Sequence, residues 1–192
     1  MARKAFTLVE MVVVMAVLAV LMATVVPQVS RTIDRSRIGR TAMELSSIAN
    51  AMDMYLADTG SYPPTVQDWG RPWGADVGLV ERGAVHPNHL ANWNGPYLKD
   101  WPIRTAWGGI VGCGATGAYY VHTNIGWIDR DGIANNDLWI HMNPYCGRYP
   151  PPMAMEIDRA LDDGDPGSGK MRLTGRVPEY IYYYVGEGAR SW

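Results

Sequence analysis

The chain has 192 residues, which suits one domain with an additional segment better than two full domains. Its net charge is −2, so it lacks the overall basic field of nucleic-acid-binding domains, and we expect no nucleic-acid partner. Between Phe6 and Val26 only Thr7, Glu10 and Thr24 are polar, whereas the rest of the chain is rich in Gly, Pro, Trp and Tyr. This uneven distribution predicts a membrane-compatible segment followed by a loop-rich globular body.

The apolar stretch from Phe6 to Val26 follows a very short basic head. As a helix it would be about 31 Å long, close to the thickness of a bilayer's hydrocarbon core. Three interpretations are open: a cleaved secretory signal, an ordinary membrane anchor, and a leader removed ahead of a retained helix. A secretory signal ends in small residues, and Leu21 before Ala23 makes a poor site of that kind. A carboxylate such as Glu10 is costly in lipid, and neither a signal nor a plain anchor explains it.

The segment AFTLVE, residues 5–10, carries a family resemblance. With the basic head, the apolar run and Pro27, it resembles the cleavage and methylation motif of type IV prepilins and type II secretion pseudopilins. The resemblance implies that a prepilin peptidase cuts between Ala5 and Phe6 and that the new amine is methylated. The family usually has Gly where this chain has Ala5, whereas Glu10 and Pro27 stand at the family's positions.

The resemblance implies a role for Glu10 in filament assembly. The freed amine of Phe6 in one subunit can approach Glu10 of a neighbouring subunit and neutralise a charge in an apolar filament core. Such a pair would set the axial register, as a buried polar group does in a coiled coil. The alternative is a glutamate that extends to the membrane interface. Pro27 has no backbone donor and predicts a kink or local loosening of the helix, the alternative being a helix stop.

A second helical pattern follows the apolar run. Apolar residues recur at three- and four-residue intervals on one helical face: Ile38, Ala42, Leu45, Ala49, Met52 and Leu56. Gly60 supplies a stop. We therefore predict one long helix over residues 6–58, apolar all round at first and then amphipathic. Four arginines predict a solvated face with headgroup contacts, with DNA or anionic-lipid binding as the alternative: Arg31, Arg35, Arg37 and Arg40.

The globular body contains three short runs of aromatic and β-branched residues, at 118–123, 138–142 and 180–185. These runs predict a small antiparallel sheet packed on the helix, so the predicted fold class is α+β. Residues 153–161 predict a short helix. Other parts of the body resemble the head of major pseudopilins as far as about residue 140, and we expect the part after Cys146 to decorate the filament surface.

An acidic segment, residues 129–137, lies between the first two predicted strands. Calcium takes six to eight oxygen ligands, which carboxylates, amides and carbonyls on a tight turn supply. The segment resembles the calcium loop of major pseudopilins, which implies these ligands: Asp131, Asn136, Asp137 and the carbonyl of Ile133. We add Asp129 for its carboxylate. The alternative is a solvated acidic turn.

A second acidic segment, residues 156–169, is expected to be mainly the exit loop of a helix, with metal binding as the lesser alternative. Cys113 and Cys146 predict a disulfide, because an exported protein with an even number of cysteines usually pairs them. The alternative is two reduced buried thiols. The four histidines have no readable zinc spacing, and no catalytic arrangement is evident.

The sequence therefore predicts a non-enzymatic structural subunit that polymerises with its own copies into an extracellular type IV pilus-like filament. Residues 1–5 are the predicted leader, 6–58 the long helix with 6–26 as membrane or filament-core segment, and 59–192 the head with a loop-rich C-terminal extension. Before assembly the chain would lie in the inner membrane, where the prepilin peptidase and assembly machinery act. It would then enter an extracellular or cell-surface filament.

Two other functions stay open. One is a type II secretion pseudopilin, whose filament spans the periplasm and pushes substrates out. The other belongs to a different class, a monomeric membrane-anchored module that binds its target with calcium. A module of that kind would keep residues 1–5 and would not need Glu10.

Overall fold

A computed structural model describes residues 6–65, 72, 74–108, 119–122, 128, 130, 133, 136–142, 149–173 and 180–187. The chain contains two compact units, Met1–Arg37 and Ile38–Trp192. The helices are α1 (Leu8–Thr59), α2 (Pro151–Leu161) and two 3-10 turns at Arg82–Ala84 and Pro87–His89. The strands are β1 (Tyr119–His122), β2 (Asp137–Met142), β3 (Met171–Leu173) and β4 (Ile181–Glu187).

The first unit consists of the apolar part of α1. Every side chain from Phe6 to Ile33 is exposed, although most of them are apolar. By length and composition α1 can cross a membrane, with a mean hydropathy of 2.7 in its most apolar window. Polar side chains in this part bond to the helix backbone, as the Thr24 hydroxyl does by donating to the carbonyl of Leu21 at 2.9 Å. That bond satisfies the hydroxyl without help from solvent.

The second unit is built on the amphipathic part of α1. Of the face predicted from the sequence, Leu45, Ala49 and Met52 are buried, and Ile38 and Leu56 pack against the core at its margin. The face is wider than predicted, because four further residues are also buried: Thr41, Ile48, Ala51 and Tyr55. The predicted helix and its amphipathic half are therefore confirmed.

The described strands form one antiparallel sheet in the order β1-β2-β4-β3. Tyr119 pairs with Met142 between β1 and β2, and Ile181 pairs with Met142 between β2 and β4. The register of β2 on β4 shifts between Leu138 and Trp139, which is a bulge or irregularity at that point. The observed α+β fold confirms the predicted class, and the three predicted strands correspond to β1, β2 and β4.

Side chains alternate between the two faces of a sheet, and every residue of β1 and β2 is buried, so both faces are covered there. One face belongs to the core that includes α1. Tyr119 on this face also donates its hydroxyl to the Glu44 carboxylate of α1 at 2.7 Å. The opposite face carries an aromatic cluster: Tyr120, His122, Trp139, His141, Tyr180, Tyr182 and Tyr184.

The described residues after Cys146 belong to the sheet and the core of the head. This part does not simply decorate a surface, because β4 lies between β2 and β3 inside the sheet. Ala154 and Ile157 of α2 are completely buried in the same core. The C-terminal part is therefore needed to complete the fold of the head.

Candidate functional site

The N-terminus of α1 is stabilised by a capping box between Thr7 and Glu10. The backbone N–H and the hydroxyl of Thr7 each donate to Oε2 of Glu10 at 2.8 Å. In return the backbone N–H of Glu10 donates to the Thr7 hydroxyl at 3.3 Å. This reciprocal pattern satisfies donors that a helix start leaves unpaired. The Thr-x-x-Glu spacing in the sequence is itself a signal for this cap, although the predicted helix began at residue 6.

The capping box places the Glu10 carboxylate close to the predicted cleavage point. Both hydrogen bonds that Thr7 donates go to Oε2, and the Glu10 side chain is exposed in the single subunit. Phe6, which would carry the new amine, is also exposed, with 74% of its surface accessible. Ala5 lies outside the described residues. The structure thus brings Phe6, Thr7 and Glu10 together at one helix end, where charged groups of another copy have access.

Pro27 lies inside α1, which continues to Thr59. The alternative in which Pro27 stops the helix is therefore wrong. Because proline lacks a backbone N–H, one helical hydrogen bond is missing at this point. The helix continues through Pro27 despite the missing hydrogen bond, and the residues on both sides of Pro27 are exposed.

The arginines beyond the apolar run lie on partly or fully exposed positions. Arg37 is paired with Asp34 at 3.6 Å, and Arg40 is paired with Glu44 at 2.7 Å. Both pairs lie along α1 at spacings of three and four residues. Exposed pairs of this kind contribute little to stability, and they agree with a solvated, charged helix face.

Part of the predicted calcium loop lies within the described residues. The Asp137 side chain is buried, and its Oδ2 accepts the backbone N–H of Arg130 at 2.8 Å. The Arg130 guanidinium lies over the Tyr184 ring, 4.3 Å from its centroid. Ile133 is exposed, Asn136 is half-buried, and Asp129 and Asp131 lie outside the described residues. The bond from Arg130 to Asp137 draws the two ends of the loop together.

One of the four histidines is buried beside α1. His89 is neither on the surface nor on a strand: it is buried between Tyr55 and Ser61. Its two ring nitrogens form hydrogen bonds with the Tyr55 hydroxyl at 2.7 Å and the Ser61 hydroxyl at 2.9 Å. This arrangement attaches the loop after α1 to the helix. Cys113 and Cys146 both lie outside the described residues.

A basic head, a capped and exposed apolar helix, and an antiparallel sheet packed on the amphipathic half of that helix together define a pilin-like subunit. Two family models match the chain: "Prokaryotic N-terminal methylation motif" over residues 1–26, and "Type II secretion system (T2SS), protein G" over residues 28–117.

Curated relatives give the same result. The chain is 32% identical to type II secretion system core protein G of Pseudomonas aeruginosa over 139 residues, which covers 70% of this chain and 91% of the relative. It is also 32% identical to the protein of that name from Escherichia coli K12, covering 61% and 77%, respectively. No solved structure matches the chain. The chain therefore belongs to the family of type II secretion system core protein G, which confirms the predicted resemblance.

Proposed function

We propose that this chain works by assembly, without catalysing a reaction, as the repeating subunit of a type II secretion filament. The observation that carries the proposal is the run from Phe6 to Ile33, whose side chains are mostly apolar and all exposed in the single subunit. Burying one large apolar side chain contributes about 1.5–3 kcal/mol. A lipid bilayer supplies that burial before assembly, and the helices of other copies supply it in the filament.

The proposed sequence of events gives each N-terminal residue a role. The subunit is held in the inner membrane, and the prepilin peptidase removes residues 1–5. The inner-membrane assembly machinery then moves the subunit into a filament, where the Phe6 amine of one copy neutralises Glu10 of another. A filament that spans the periplasm fits the named relatives best. An extracellular pilus-like fibre is the second candidate, because the P. aeruginosa relative matches only 70% of this chain.

The mature N-terminus tests the proposal. Mass spectrometry of protein purified from the membrane fraction is expected to show a chain that starts at a methylated Phe6. Substituting Ala5 with a bulky residue should block cleavage and leave Met1 in place. This variant is the matched control for the assignment of the mature N-terminus to Phe6. An intact Met1 in the unmodified protein would favour the anchored monomer, and a start near Thr24 would favour a secretory signal. Either result would reject the filament subunit.

We also propose that the loop between β1 and β2 binds calcium through Asp129, Asp131, the Ile133 carbonyl, Asn136 and Asp137. Carboxylate, amide and carbonyl oxygens are the donors that calcium takes, and the hydrogen bond from Arg130 to Asp137 closes the loop on itself. Bound calcium would neutralise several negative charges on one short segment. The loop would then be held against β2, which carries Asp137.

Calcium binding at this loop is expected to depend on Asp131. Isothermal titration of the full-length protein in detergent micelles, after removal of divalent cations, should show that Asp131→Asn binds one calcium ion fewer than the unmodified protein. Asp100→Asn, an exposed aspartate outside the loop, should leave the stoichiometry unchanged. An unchanged stoichiometry in Asp131→Asn would exclude calcium from this loop.

A further inference from the structure

Three aspartates meet where α2 ends and its exit loop begins. Asp158 lies in the last turns of α2, and Asp162 and Asp163 follow the helix directly. One carboxylate oxygen of each residue lies within 4.8 Å of the corresponding oxygens of the other two. Like charges this close repel one another. The C-terminal end of a helix adds a partial negative charge, which makes the position still less favourable for three carboxylates.

Asp158 is the unusual member of this group. Its side chain is 0% exposed, and neither of its carboxylate oxygens has a hydrogen-bond partner within the described residues. Burial, together with the carboxylates of Asp163, Asp162 and Asp165, raises the pKa of Asp158 to about 6. A buried carboxylate normally finds an ion pair, a set of hydrogen bonds or a metal ion. Within the described residues, Asp158 points into the group with neither an ion pair nor a hydrogen bond.

The exit loop holds the other two carboxylates in place. Oδ2 of Asp162 accepts the backbone N–H groups of Lys170 and Met171. Asp163 accepts the backbone N–H of Asp165 at 2.8 Å and the Ser168 hydroxyl at 2.6 Å. The loop closes tightly enough that a Cβ at Gly169, where φ is +68°, would overlap the Asp162 carboxylate. Asp162 thereby connects the end of α2 to the start of β3.

The nearby cations are engaged elsewhere. Arg159 pairs with Glu156 at 2.5 Å. Arg172 donates to the carbonyls of Gly169 and Met171 at 2.7 and 3.2 Å. Within the ranges that the structure describes, no ion pair joins Lys or Arg to any of the three aspartates. The Arg172 guanidinium lowers the pKa of Asp158 and so offsets part of the negative charge of the group, and the rest is left for a ligand that is not a protein side chain.

We propose that Asp158, Asp162 and Asp163 form a binding site for a divalent cation of the calcium class, separate from the loop between β1 and β2. Three carboxylates supply oxygen donors only, which suits a hard cation, whereas zinc prefers nitrogen and sulfur. Calcium accepts six to eight oxygens in flexible geometry, so loop carbonyls and water complete its coordination. The ion would fasten α2 to β3 and thereby support β4, the strand to which β3 pairs.

The test uses full-length mature protein in detergent micelles, freed of divalent cations, with calcium alone as the ligand. All variants carry Asp131→Asn, so that the loop between β1 and β2 does not contribute. This background is expected to bind one calcium ion and to show a higher unfolding temperature when calcium is present. Adding Asp158→Asn or Asp163→Asn should lower the calcium affinity at least about 10-fold and remove the thermal shift.

Glu156→Gln is the matched control, because Glu156 lies on the same helix and is paired with Arg159 outside the group. It should bind calcium as the background does. Asp163 is exposed, so Asp163→Asn decides the result even if Asp158→Asn fails to fold. A background protein that binds no calcium, or an unchanged affinity in Asp163→Asn, would overturn the proposal. Neither outcome affects the filament proposal, which is tested at Phe6.

Discussion

Replacing Glu10 with valine is expected to abolish filament assembly while leaving the subunit folded and inserted in the membrane. In a filament, the Phe6 amine of one copy would then lack the Glu10 carboxylate of the neighbouring copy as its partner. Removing one side of a buried ion pair costs about 3–5 kcal/mol, so each subunit addition should weaken by about 100-fold or more. Electron microscopy of cells that make equal amounts of mature protein measures the loss of fibres.

Two further variants separate the charge of Glu10 from its capping role. Glu10→Gln keeps an oxygen that can accept from Thr7 but has no charge, so it should fail to assemble as the valine variant does. Thr7→Ala removes the capping hydroxyl, costs about 1 kcal/mol of helix stability and should still assemble. Normal fibres from Glu10→Gln would contradict the charge pair. Loss of fibres in Thr7→Ala would assign assembly to the helix cap instead.

Acidification from pH 7 to pH 5 is expected to destabilise the head through His122 and His141. Both side chains are buried on the aromatic face of the sheet. The His141 ring is stacked on Tyr182 at 4.6 Å and lies 5.4 Å from the His122 ring. Burial lowers the pKa of His141 to about 3, with a further contribution from His122, and lowers the pKa of His122 to about 4.

The direction of the effect follows from proton uptake by the unfolded chain. An unfolded histidine has a pKa near 6.5. Below that pH the unfolded state binds protons, whereas the buried histidines of the folded state stay unprotonated. The two neutral buried histidines therefore make their full contribution to the free energy of unfolding above about pH 6.5. This contribution is lost as the pH falls toward the pKa values of the folded state. At pH 5 the loss is about 2 kcal/mol for each histidine. The raised pKa of Asp158 acts in the opposite direction, by about 1 kcal/mol over this interval.

Urea unfolding of the full-length protein in micelles, followed by tryptophan fluorescence at pH 7 and pH 5, measures this loss. His141→Gln removes one titrating group, so its free energy of unfolding should change with pH by about 2 kcal/mol less than that of the unmodified protein. His86→Gln is the control, because His86 is partly exposed and lies outside the sheet. An equal pH dependence in all three proteins would show that the buried histidines do not titrate in this way.

Much of the long helix was predictable because its signals are local. The apolar run, the stop at Gly60 and the face that carries Leu45, Ala49 and Met52 all depend on residues a few positions apart. A helix satisfies its backbone within one segment, so periodicity alone identifies it. The strands corresponding to β1, β2 and β4 were also visible as aromatic and β-branched runs, but their order in the sheet was not.

Contacts between distant parts of the chain were not predictable in the same way. β3 has only three residues, Met171–Leu173, and becomes a strand because it pairs with β4. His89 can be buried because its two ring nitrogens form hydrogen bonds with Tyr55, which lies 34 positions earlier, and with Ser61. The residues of the second acidic segment gave no sign that Asp158 would be buried, since burial depends on how α2 packs.

For this protein the sequence by itself determined the N-terminal segment that ends with α1: the membrane-length helix, the position of Glu10 and the family that these features define. Those properties depend on composition and spacing along one continuous helix. Only the tertiary structure decided that the C-terminal part supplies a central strand, and that Asp158, Asp162 and Asp163 converge beside β3. The physical reason is that strand pairing and side-chain burial are set by packing between segments far apart in the chain, which no local pattern records.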